Sequence, residues 1–193
     1  MRIAYLILFL PTILVFQNCS IKGQVAVEAK RLDSVSIVLN SKLQELNKCD
    51  TALLERAITK FTNYSTFIEN NISDTITKEE ATSLQQFYQS GKNLKAFDKN
   101  FESLRSRTIL VSDQIKKLMS DLENGSISKK DFLASYDNEF NAASRLISQT
   151  TIELKNNLNS VQDLKNSLLP VEALIRSRNK GQLPEAINSK VDL

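Results

Sequence analysis

From Phe87 onward a core-type residue recurs every seven positions, as Phe87, Leu94, Phe101, Thr108, Ile115 and Leu122. Ser90, Phe97, Leu104, Val111 and Leu118 fill the intervals at a 3/4 spacing, which makes a seam of coiled-coil type and predicts one long amphipathic helix. A second seam obeys the same rule: Leu133, Phe140, Ile147, Leu154, Val161 and Leu168, interleaved with Tyr136, Ala143, Thr150, Asn157 and Leu164. Strands alternate with period two, and neither stretch does. An earlier stretch places Leu32, Val35, Leu39, Leu43, Leu46, Leu53, Ala57, Phe61, Tyr64, Ile68 and Ile72 on one broad face. Its register slips near Cys49-Asp50, as a stutter requires, and the pattern is read as one long helix through that point.

Punctuation divides the chain into three helices. Ser73-Asp74-Thr75-Ile76-Thr77 is polar, and Thr77-Lys78-Glu79-Glu80 has the capping-box pattern. Asn124-Gly125 ends the second helix and Ser128-Lys129-Lys130-Asp131 caps the third. The predicted spans are 25–72, 78–124 and 129–169, each about 60 to 70 Å long at about 1.5 Å per residue. Pro170 should end or kink the third helix, leaving a short helix from Val171 to Arg178 and a loose tail broken by Gly181 and Pro184. Short loops force neighbouring helices antiparallel, so the expected fold is all-α: an elongated antiparallel up-down-up three-helix bundle with a short C-terminal helix. Ser90, Thr108, Thr150 and Asn157 interrupt the seams with polar groups that fix register at some cost in stability.

Composition removes most chemistry. There is no His in the chain, which excludes histidine bases, His-dependent triads and His metal ligands. Four scattered glycines build no phosphate-binding loop, and a net charge of +3 leaves no electrostatic footprint for nucleic acid. The stretch Asp121 to Phe132 resembles part of a calcium-binding EF-hand loop around Gly125 and Ile127. Aligned on Gly125, however, Ser120 and Leu122 stand where the first oxygen ligands belong and Asp131 where a bidentate Glu is needed, so the ligand set fails. No catalytic residue, metal ligand or cofactor is expected, and Phe97 and Phe101 read as core and not as the lining of a cavity.

The first residues change the picture more. Arg2 precedes an apolar run from Ile3 to Phe16, too short to cross a ~30 Å hydrocarbon core comfortably, which closes on Gln17-Asn18-Cys19 and reads as an export signal. Val15-Phe16-Gln17-Asn18-Cys19-Ser20 resembles a relaxed bacterial lipobox of the spirochaetal type, in which Asn stands before the cysteine. The resemblance covers only the signal and implies removal of residues 1–18 and lipidation of Cys19, with 19–27 as anchor and tether; the seams and punctuation then give 28–178 as bundle and 179–193 as flexible tail. A competing cut between Gly23 and Gln24 implies ordinary secretion. Either cut leaves Cys49 without an intramolecular partner, and its spacing from Leu46 and Leu53 reads as a small buried hydrophobe.

A membrane partner through the N-terminal lipid follows, in the cell envelope and specifically the outer membrane, with periplasmic or secreted protein as the alternative. Lys116, Lys117, Lys129 and Lys130 then form a membrane-proximal basic cluster, each contributing up to about 1 kcal/mol toward an anionic surface. Arg176, Arg178 and Lys180 fall at the far end, near Glu69, Asp74, Glu79 and Glu80, where an unidentified protein partner would bind. The expected function is a non-catalytic scaffold, spacer or binding surface, the alternative being a chaperone-like or apolar-ligand-binding helical module. Oligomeric state stays open.

Overall fold

A computed structural model describes residues 21–73, 75–184 and 187. Among them the chain is all-α, with α1 at Ile21–Gln24, α2 at Ala26–Asn47, α3 at Thr51–Asn71, α4 at Lys78–Glu123 and α5 at Lys129–Arg178. The two long helices, α4 and α5, form the principal pair; α2 packs against both and α3 chiefly against α4. Gln86 lies by Asp163 and Glu80 by Arg178, so the start of α4 sits beside the end of α5.

The α4 seam is buried along its whole length, from Phe87 and Leu94 at 0% exposure to Leu122 at 2%. Its caps form as the sequence indicates. Thr77 accepts from the Glu80 backbone while Glu80 reaches back to the Thr77 N–H, and Gly125 adopts the left-handed conformation that ends the helix. Ser128 then accepts from the Asp131 N–H to open α5.

Three expectations need correction. The first helix is two helices. Asp50 accepts from Leu53 N at 2.8 Å, a new N-cap worth about 1 kcal/mol, and the chain turns at Lys48-Cys49. The turn is driven by register: an unbroken continuation of Leu32, Leu39 and Leu46 would aim Leu53 inward, whereas the break leaves Leu53 half-buried and puts Leu54 in the core.

The third helix, conversely, does not stop at Pro170. It continues to Arg178, with no separate C-terminal helix. A proline inside a helix costs about 3 kcal/mol or more. Pro170 is exposed, however, and Val171, Leu174 and Ile175 beyond it are all buried, at about 1.5–3 kcal/mol each. Burial on the far side outweighs the missing backbone bond.

The third correction is the register of α5. Tyr136, Ala143, Thr150, Asn157 and Leu164 are buried as expected, but Leu133, Phe140, Ile147, Leu154 and Val161 are only half-buried. Phe132, Leu146, Ser160, Ser167 and Leu174 take the inner positions instead, so the stripe is centred one residue earlier and admits Glu139 to its edge. Burial pushes the Glu139 carboxyl above its ordinary range.

All four polar seam residues are buried. Ser90 and Thr108 bond back to the carbonyls of Gln86 and Leu104 at 2.8 Å, whereas Thr150 Oγ1 and Asn157 Oδ1 have no partner in the protein. Beyond α5, Ile187 is buried and Leu183 half-buried against the same core.

Candidate functional site

Three polar ties close the end of the molecule where α4 begins and α5 finishes. Tyr64 of α3 donates its hydroxyl to Glu172 Oε1 of α5 at 2.6 Å. Tyr88 of α4 faces the Glu69 carboxylate of α3, and Arg178 of α5 donates from Nη1 to Glu80 Oε1 of α4 at 2.9 Å. The two hydrogen bonds join α3 and α4 through α5, and Tyr88 and Glu69 bring α3 and α4 face to face. Glu80 works twice, accepting from Thr77 N at 2.7 Å as a cap while holding Arg178, and Arg178 also reaches Thr75 O at 3.4 Å.

The electrostatics follow the geometry. The Thr77 backbone N–H first, and then the Arg178 guanidinium, hold the Glu80 carboxyl below its usual range. Burial, reinforced by Glu172, drives the Tyr64 phenol far up, and burial with Glu69 pushes Tyr88 up to about 12.

This end absorbs part of the basic trio singled out in the sequence. Arg178 is committed to Glu80. Arg176 donates to Gly181 O at 3.4 Å and helps close the C-terminal turn, in which Lys180 and Gly181 both adopt positive φ. Lys180 is exposed. Asp74 lies outside the described residues.

Lys116, Lys117, Lys129 and Lys130 are all exposed at the opposite end, on the last turns of α4 and the first of α5. Lys22 approaches Glu123 at 3.4 Å there, so the described chain enters at the same end. Acids interleave with these lysines: Lys116 pairs with Asp113 at 3.3 Å and shares a small groove with Asp33 and Glu123. The result is a mixed-sign surface. Cys19 and the lipobox lie outside the described residues.

Two apolar grooves were not foreseen. One is shallow, about 710 Å3, and runs between α2 and α5 over Val27, Val38 and Phe140 with Lys30 and Arg31 beside it. The other, about 520 Å3, opens where the α2–α3 break faces α5, with Cys49, Leu53, Leu54, Leu154, Asn157 and Val161 in its wall. The stutter at Cys49-Asp50 was its sequence signal. Cys49 is not a residue of a helix face; it is half-buried in the break, and its Sγ accepts from Asn157 Nδ2 at 3.7 Å. Burial, then Asp50, raises its thiol, which makes it a poor nucleophile.

Phe97 and Phe101 pack tilted against each other in the core, ring centroids 5.5 Å apart, away from both grooves. Among the described residues no group of three or more His, Cys, Asp or Glu side chains could hold a metal ion, and no helix is long and apolar enough to cross a membrane. The chain matches no protein family, no curated protein and no solved structure.

Proposed function

We propose that this protein is a non-catalytic, lipid-anchored helical bundle of the bacterial cell envelope, attached through Cys19 and acting as a spacer that presents a binding surface to a protein partner. In this reading the chain runs up along α2 and α3, down α4 and up α5. The observation that carries it is the separation of the two ends. Lys22 and Glu123 bring the chain's entry beside the α4–α5 turn, while the Tyr64, Tyr88 and Arg178 ties close the other end. The 46 residues of α4, at about 1.5 Å each, hold those ends about 70 Å apart.

A spacer needs a rigid shaft and a defined tip. Long continuous α4 and α5 supply the first, and cross-helix ties that lock all three helices supply the second. Of the basic trio, Lys180 and Arg176 are exposed at that tip. The mixed-sign surface at the other end makes the four lysines a weak membrane attractant, so on this reading attachment depends on the lipid. Cys19→Ala should abolish labelling by a clickable fatty acid and release the protein from membranes. A mature N terminus at Gln24 overturns the proposal.

A further inference from the structure

The groove at the α2–α3 break has the properties of a small-molecule site. Its volume of about 520 Å3 falls within the range of such pockets, roughly 300–1,000 Å3. Leu53, Leu54, Leu154 and Val161 make its wall apolar, and Leu158 stands at its rim 70% exposed. The charged residues around it, Glu45, Lys48 and Asp50, are of both signs and all exposed, so no buried counter-charge waits for an ionic head group.

One buried polar group breaks this lining, since Gln162 is exposed and bonded to Asn166. Asn157 is only 7% exposed, its Nδ2 meets Cys49 Sγ, and its Oδ1 is buried without a partner in the protein. Turning the amide over exchanges the two ends without changing the tally, because Cys49 serves one end and the other still lacks a partner. A leucine at this seam position would carry no such cost. What completes the site is a neutral group on an apolar body: a hydroxyl serves whichever end of the amide is left over, whereas a carboxylate or ammonium could serve one end only and would bring a charge that no buried counter-charge meets.

We propose that this groove binds an uncharged amphiphile, an aliphatic chain bearing a hydroxyl, with the hydroxyl on the Asn157 amide and the chain against Leu53, Leu154 and Leu158. The site is independent of the lipid anchor and of the tied end, and it stands or falls separately from the spacer reading.

Cys49 is a built-in reporter of occupancy. Purified protein is treated with N-ethylmaleimide across a titration of 1-octanol, and modification is read by mass spectrometry on the peptide carrying Cys49, with circular dichroism recorded alongside. The expected result is saturable slowing of Cys49 alkylation at unchanged helicity, with octanoate roughly tenfold weaker. Asn157→Leu should weaken octanol protection roughly tenfold. Leu158→Lys, at an exposed position where folding is not at stake, should weaken it too. Absence of saturable protection, equal protection by octanoate, or protection unchanged in both variants overturns the proposal.

Discussion

The ring of Phe61 lies on the backbone of Gly91, so close that a Cβ at residue 91 would fall far inside van der Waals contact with Cγ, Cδ2 and Cε2 of the ring. Phe61 cannot yield, since it is buried against Phe87 at 5.1 Å and Tyr88 at 6.1 Å, with Lys95 Nζ over its face. Glycine inside a helix ordinarily loses about 0.5–1 kcal/mol relative to alanine, whereas overpacking costs about 1–3 kcal/mol. Overpacking wins. Gly91→Ala should lower stability by about 1–2 kcal/mol in urea unfolding. Combined with Phe61→Leu the penalty should shrink, giving a favourable coupling in the double-mutant cycle.

The seams separate substitutions that look alike in sequence. Leu104 is 2% exposed, so Leu104→Asp should destabilise by several kcal/mol, about 3 or more, by burying an unpaired charge. Leu154 is half-buried on the wall of the groove, and Leu154→Asp should cost markedly less. Lys155→Asp, on the exposed face, should stay within about 0.5 kcal/mol of the parent. Equal losses for Leu104 and Leu154 would mean that the α5 register is wrong.

Two carboxyls pull the acid limb in opposite directions. Glu80 has a lowered folded pKa, so its stabilisation is present above the ordinary value of 4.5 and is lost as pH falls through the lowered one. Glu139 has a raised pKa, so its cost is present at neutral pH and is relieved on acidification. Unfolding measured from pH 7 to pH 3 should therefore be less acid-sensitive for Glu80→Gln than for the parent. Glu139→Gln should be more stable than the parent at pH 7 and indistinguishable from it at low pH.

The alkaline limb belongs to tyrosine. Tyr64 and Tyr88 have raised pKa values, so what they contribute is complete below their ordinary value of 10 and is lost as pH rises through their folded values, about 12 for Tyr88 and higher for Tyr64. A phenolate-absorbance titration should find Tyr64 and Tyr88 ionising late and together with loss of helix. Tyr64→Phe should remove one late step and cost about 1.5–3 kcal/mol at neutral pH, the worth of a hydrogen bond to a carboxylate such as Glu172.

The α4 seam and both caps were legible because an uninterrupted heptad pattern and local capping chemistry decide them without help from the rest of the chain. Long-range packing decided the rest. In α5 the aliphatic series Leu133, Ile147 and Leu154 outbids Ser160 and Ser167 in sequence, yet small hydroxyls fit the tight inner positions and bond to their own helix, as Ser167 does to Leu164 O at 2.8 Å. The stutter at Cys49-Asp50 was visible, but choosing break over continuation depends on what Leu54 meets. Pro170 misled because its penalty is local while the burial that outweighs it is not. The tip was legible as opposite charges meeting, Arg178 with Glu80, though not the three-way closure. The groove joins residues 108 positions apart, Cys49 and Asn157, so the stutter marks where the wall opens but not what faces it from α5.

Because α2 and α3 meet at Lys48-Cys49-Asp50 without a continuous helical ladder, the third leg of the molecule carries load in two stages. A pull on the chain from its N-terminal side loads α1 and α2 first, stripping Val25, Leu32, Leu39 and Leu46 from α4 and α5 in turn. At Asp50 it meets a freshly capped helix held by Phe61 over Gly91 and by Tyr64 on Glu172. Tension would lengthen such a molecule by one segment and then stop, with the tied end intact.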